Sequence, residues 1–291
     1  MTSPADPAPR PRPLGAGFAL VATALIAINL RPVASSVGPV LEEVTEGLGM
    51  NTAVAGFVTA LPGLCFGLIG ALAVAFARKV GMTTGIVLGL VAVGVGLLAR
   101  AAIDNTVLFL LLTALALGGA AVGNVLVPAW IKRQPRDVRL MTIYSAGLTL
   151  GGAGAAALVA PISANTAQGW RAALGVWGLV ALVAVLPWAL IASRERRTPG
   201  GRGSPAATKA AGRIWHSPTA IALTVVFGIQ SMNAYIQFGW LPQIYRDAGL
   251  SAGYAGILMS LLTALTLIGA LMMPTVIARS PSLKGWMYAF G

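Results

Sequence analysis

Eight stretches of this sequence are long and apolar enough to cross a lipid bilayer, and that property excludes most folds. They cover residues 14–41, 53–77, 82–98, 107–131, 141–162, 172–192, 218–245 and 254–277. About twenty apolar residues in a helix span the hydrocarbon core. Lipid offers no hydrogen bonds, so each run must satisfy its own backbone as a helix. Only 10% of the residues are charged, against about a quarter in soluble domains. The expected class is an all-α polytopic membrane protein. The 36 glycines fit it, because small residues let membrane helices approach closely. The single cysteine, Cys65, excludes an internal disulfide and reads as a small buried apolar residue. Residues 1–13 form a polar, Pro-rich tail, and the first apolar run is too long for the core of a cleavable signal peptide.

The net charge of +12 is a topology signal. Sixteen of the 20 lysines and arginines fall in the tail and in every second connection. Three, Arg100, Arg171 and Arg246, fall in the alternate connections, and Arg31 is the last. By the positive-inside rule the N-terminus and the long sixth connection are cytoplasmic, in a multi-pass protein of the cytoplasmic membrane. The basic residues therefore face the bilayer surface, and a nucleic-acid partner is not expected. The sixth connection, "RERRTPGGRGSPAATKAAGR", has linker composition. The expected division is a cytoplasmic tail (1–13), a six-helix bundle (14–193), a cytoplasmic linker (194–216) and a partial second bundle (217–291).

An internal repeat supports that division. "GMNTAVAG" from Gly49 resembles "GLSAGYAG" from Gly249, with glycines at the same spacing. "LIGAL" occurs from Leu68 and again from Leu267, and Pro39 and Pro242 precede the two copies. Six helices between copies make parallel repeats, as in a transporter built from two halves.

Arg31 stands in "NLRPVASSVGPV", inside the first apolar run. Ten residues separate it from Leu41, about 15 Å of helix, which puts it near the middle of a core about 30 Å thick. A charge there costs about 3 kcal/mol on insertion scales. Pro32 removes one helical N–H and frees the carbonyl of Ile28, so a kink is expected. Ser35 follows at i+4 on the same face. No Asp or Glu lies inside any expected span, and Glu42, Glu43 and Glu46 stand at or beyond the end of the first. An arginine does not lose its proton. Its counter-charge is then either cargo or, in the alternative reading, Glu42 and backbone carbonyls. Guanidinium suits small planar oxyanions.

On the seventh run Gln230, Asn233 and Gln237 form one stripe, with Tyr235 on a neighbouring face. The repeat sets this segment opposite the Arg31 segment, so these residues are candidate substrate contacts or interhelical hydrogen bonds. Asn124, one turn before Pro128, is a further candidate. Thr142, Ser145 and Thr149 line a face of the fifth run, and Gly147, Gly151 and Gly154 read as packing positions. No catalytic pair, metal-ligand cluster, phosphate loop or cofactor motif is present, and the one histidine, His216, sits in the linker.

The segments "INLRPVASSVGPVLEEVTEGLGM", "GNVLVPAWIKRQP", "GWRAALGVW" and "GIQSMNAYIQFGWLPQIYRDAGLS" resemble the cyanate permease/nitroimidazole transporter (CynX/NimT) branch of the major facilitator superfamily. The resemblance covers the whole chain. It implies twelve helices in two pseudo-symmetric bundles around a central cavity, with alternating access. On that pattern this chain holds the complete first bundle and the first two to three helices of the second, stopping where a ninth helix begins. Arg31 falls where the family's first-helix arginine would meet an anion. The superfamily's Asp-Arg loop is here "ARKVG", without the acid, so its gating ion pair is not expected.

The resulting expectation is a secondary transporter for a small anion, cyanate-like or carboxylate, contacted by Arg31, Ser35, Asn124, Gln230, Asn233, Tyr235 and Gln237. Coupled protons would need Glu42, Glu43 or a group elsewhere as carrier. The alternatives are drug or amphiphile efflux and, in another class, a membrane-embedded enzyme or assembly factor. The orientation is testable by labelling. In a Cys65→Ala background, Gly203→Cys is expected to react only with membrane-permeant reagents, and Asn165→Cys with impermeant ones added outside. The reverse pattern contradicts the orientation.

Overall fold

The computed structural model describes residues 15–134, 138–197 and 217–279. The expected tail, most of the linker with His216, and the start of the expected ninth span lie outside the described residues. All eight expected spans are helical, and eight helices are long and apolar enough to cross a membrane among the described residues. The first is segmented: α1 (Ala16–Leu30), α2 (Pro32–Ser35), a 3₁₀ turn (Gly38–Val40) and α3 (Leu41–Gly47). The others are α4 (Thr52–Val80), α5 (Met82–Ala101), α6 (Thr106–Ile131), α7 (Val138–Asn165), α8 (Trp170–Arg197), α9 (Pro218–Asp247) and α10 (Ala252–Arg279). Most run a few residues past the apolar limits. Arg78 and Lys79 in the last turn of α4 favour the negative end of the helix dipole.

The expected kink lies at Arg31–Pro32. Arg31 keeps right-handed dihedrals (φ −88°, ψ −38°), so the helix loosens there without reversing. Pro32 and Pro39 each lack an N–H, and Gly38 adds backbone freedom. Residues 32–41 are all buried, so the loosened backbone lies within protein, where membrane proteins tolerate it. The carbonyl of Ile28, which Pro32 leaves unpaired in the helix, is covered by Gly151 of α7. A Cβ on Gly151 would collide with it.

The repeat seen in sequence is repeated in backbone geometry. Gly49 and Gly249 both have positive φ, +60° and +91°. Each closes its helix with the same bond pair: Gly49 to Glu46 and Met50 to Thr45, then Gly249 to Arg246 and Leu250 to Tyr245. Each is followed two residues later by a cap. Asn51 accepts from the Val54 N–H at 2.9 Å, and Ser251 from the Tyr254 N–H at 3.4 Å.

The core runs through α1 to α8, with Trp188 wholly buried and donating from Nε1 to the Ala22 carbonyl at 2.9 Å. The repeat partners α9 and α10 join it at one end of the bundle. Gly38 lies against the Phe238 carbonyl and Gly256 against that of Ala156, too close for any side chain. Arg246 of α9 reaches both Glu42 (2.5 Å) and Glu43 (2.8 Å) of α3. This clamp joins the two repeat copies at the Glu42 end. The opposite half of α9, residues 221–230, is exposed.

Glycine spacing separates close approach from ordinary contact. At Gly151 the obstacle is backbone and cannot yield, whereas at Gly154 the nearest atom is Trp177 Cη2 at 3.9 Å. Gly151→Ala is expected to cost about 1–3 kcal/mol of stability as overpacking, and Gly154→Ala close to nothing. Melting of purified protein followed by intrinsic fluorescence checks this. Equal melting temperatures for the two variants contradict the packing described.

Candidate functional site

Arg31 projects from the break in the first span and is half-buried. Its guanidinium lies over the Phe238 ring of α9, 5.7 Å from the centroid. Tyr144 of α7 and Tyr235 of α9 are near enough for its charge to act on both. Tyr144 donates its hydroxyl to Asn124 Oδ1 of α6 at 3.1 Å. Tyr235 stacks on Phe66 of α4, with centroids 5.3 Å apart and planes 19° apart. Gly152 of α7 leaves room beside the arginine stem: a Cβ there would be 3.4 Å from Arg31 Cβ. Phe238 and Gly152 thus flank the arginine itself, while Asn124 and Phe66 pack on the two tyrosines near it. Among the described residues no carboxylate is within 4 Å of Arg31.

The arrangement can do one thing well. A planar fork of donors, fixed by the bend of its own backbone and walled by aromatic faces, holds a flat or linear acceptor. The Tyr235 phenol at its rim can donate to that ligand, while the Tyr144 hydroxyl is spent on Asn124.

A family model described as Major Facilitator Superfamily matches residues 14–291. The chain belongs to that superfamily. It is 32% identical to the cyanate transport protein CynX of Escherichia coli (strain K12) over 274 residues, 93% of this chain and 69% of that protein. It is 34% identical to the 2-nitroimidazole transporter of the same organism over 275 residues, 90% of this chain and 66% of that protein. These relatives support its place in the cyanate permease/nitroimidazole transporter branch. In structure it is similar to the D-xylose-proton symporter, with a TM-score of 0.59 at 15% identity, over 90% of this chain and 68% of that one. That likeness bears on the fold alone.

Within this facilitator fold the expected site residues separate into two groups. Arg31, Asn124 and Tyr235 lie in one region: Tyr144 bonds Asn124, and the Arg31 charge acts on both tyrosines. Ser35 is buried, but its hydroxyl lies 3.2 Å from the carbonyls of both Arg31 and Gly152. It ties the loosened backbone to α7, and that occupies its proton. Gln230 and Asn233 are exposed at the protein surface, and Gln237 donates to Asn233 at 3.4 Å. The stripe pairs within its own helix, on a different face from Tyr235 and Phe238.

Three residues of the site were not evident in the sequence: Phe66, Tyr144 and Phe238. Phe238 was accessible in principle, since it stands one turn after Tyr235. Tyr144 lies amid the polar face of Thr142, Ser145 and Thr149, where Thr149 bonds back to the Ser145 carbonyl at 3.2 Å.

Arg100 corrects a reading of the sequence. It was assigned to a connection, yet it is the penultimate residue of α5 and is wholly buried. Its side chain turns inward, over the Phe109 ring at 5.8 Å, and reaches Thr113 of α6 and Ser36 of the first span.

Proposed function

We propose that this chain is part of a secondary transporter that moves a small anion across the cytoplasmic membrane by alternating access, with Arg31 as the binding cation. One observation carries the reading: a guanidinium at the break in the first span, lying over Phe238 of the second repeat copy, with no carboxylate partner among the described residues. A charge so placed is costly unless a ligand completes it. The relatives' names agree in chemistry. Cyanate is a linear anion, and 2-nitroimidazole is a flat ring bearing nitro oxygens. Both offer acceptors in a plane, which a guanidinium between aromatic faces would hold.

The positive-inside distribution supports an inner-membrane protein with its N-terminus in the cytoplasm and residues 194–216 as the linker between 14–193 and 217–291. In that orientation the Arg246–Glu42–Glu43 clamp is at the outer end. The clamp then joins the two repeat copies at the outer face. A second reading, transport of a small neutral heterocycle, is favoured by the aromatic walls of Phe66, Tyr235 and Phe238.

Binding of labelled cyanate to purified protein tests the proposal, with folding checked by size exclusion. Arg31→Ala is expected to lose at least a hundredfold in affinity, consistent with about 3–5 kcal/mol for one partner of a desolvated pair. Arg31→Lys should recover little, because a point charge does not reproduce the fork. Gln230→Ala and Asn233→Ala should stay within about threefold. A folded Arg31→Ala protein with unchanged affinity refutes the anion assignment. Equal losses for cyanate and a neutral nitroimidazole favour the second reading.

A further inference from the structure

The second buried arginine has a site of its own. Arg100 has no solvent exposure and no carboxylate within 4 Å among the described residues. It carries five N–H donors and does not give up its proton. Two are used, in contacts of 3.4 Å to Thr113 Oγ1 and Ser36 Oγ, long for such bonds. Its Nε–H is buried without a partner. A permanent charge in this state is under-satisfied.

Its two hydroxyl partners are unusual as well. Several buried hydroxyls in this chain spend their proton on the carbonyl of a preceding turn: Ser35 on Arg31, Thr59 on Gly56, Thr263 on Met259. Ser36 and Thr113 accept from Arg100 and, among the described residues, donate to no acceptor. Their protons remain free beside an unneutralised cation. Three donor groups, one guanidinium and two hydroxyls, are thus buried neighbours, and an acceptor of negative charge would both take their hydrogen bonds and offset the guanidinium charge.

Thr113 also lines a small cavity with Val37, Gly38, Tyr235 and Phe238. Its free volume of about 10 Å³ holds one water-sized particle. Through Thr113 the cavity adjoins one of the two Arg100 contacts; Arg100 and Ser36 themselves do not line it.

We propose that Arg100, Ser36 and Thr113 form a second anion-binding site, which takes one small monovalent inorganic anion of halide size. Complete burial excludes a lipid headgroup as the source, so the anion enters from solution. The site stands toward the Glu42 end relative to Arg31, five residues farther along the same segmented helix. An anion there neutralises the charge that keeps the loosened segment tied to α5 and α6. The proposal is independent of what Arg31 binds.

The test uses bromide as probe on the purified chain in nanodiscs, exchanging gluconate for bromide at constant ionic strength. Melting temperature is followed by intrinsic fluorescence. Wild type and Arg31→Ala are expected to rise with bromide in a saturable way, and Arg100→Gln to show no saturable rise. Thr113→Val, which keeps shape and removes one donor, should need at least tenfold more bromide. It decides the matter if Arg100→Gln does not fold. The proposal is overturned if bromide gives no saturable rise in wild type. A rise lost in Arg31→Ala, or retained at the same concentration in Arg100→Gln or Thr113→Val, overturns it as well.

Discussion

A guanidinium keeps its charge at any pH a cell reaches, and hydrocarbon does not solvate it. This chain nevertheless holds two arginines inside its helical bundle, and neither has an acid beside it among the described residues. Much of the local architecture follows from accommodating Arg31. The first span is loosened where the charge leaves it. The loosened segment is sheathed by protein on all sides. Aromatic rings take the place of water, Phe238 for Arg31 and Phe109 for Arg100. Such rings offer partial compensation of about 2 kcal/mol when desolvated, less than an ion pair in good geometry. The remainder is available to a ligand, and a transporter works by such unfinished interactions.

The backbone arrangement is equally economical. Pro32 frees a carbonyl in a region without water. Gly151 closes over it so tightly that only a residue without a side chain fits. Ser35 then links the same bend to Gly152, one residue along α7. Gly152 in turn stands beside the stem of Arg31 and near Thr263 of α10. The bend, the charge and the second repeat copy are therefore coupled through two adjacent glycines. A movement of α10 against α7, as alternating access would require, bears directly on where Arg31 points.

Much of the fold was legible in the sequence because membrane spans are set by length and apolarity alone. The repeat was legible because helix-closing glycines and their caps are local signals, and Gly49 and Gly249 adopt the same geometry. Arg31 was legible because a charge in an apolar run needs no tertiary information to be conspicuous. Arg100 was misread for the same reason inverted. One residue from a helix end, it looks like part of a loop, and nothing in the sequence says that its long side chain turns inward. The face of α9 was also beyond reach. Its polar stripe and its aromatic pair are both periodic, and which of them meets Arg31 depends on the helices packed against it. Ser35 shares a face with Arg31 as expected, but the freed backbone of the bend claimed its hydroxyl.

The central claim is that the partner of Arg31 is a bound anion. Selenocyanate, an analogue of cyanate with an anomalously scattering atom, makes this directly visible in crystals of the protein. The account predicts an anomalous peak within about 4 Å of the Arg31 guanidinium, between Tyr144, Tyr235 and Phe238, that disappears in Arg31→Ala crystals. Density that leaves Arg31 unoccupied at saturating selenocyanate, or an Arg31 paired to a carboxylate of the protein itself, would contradict it.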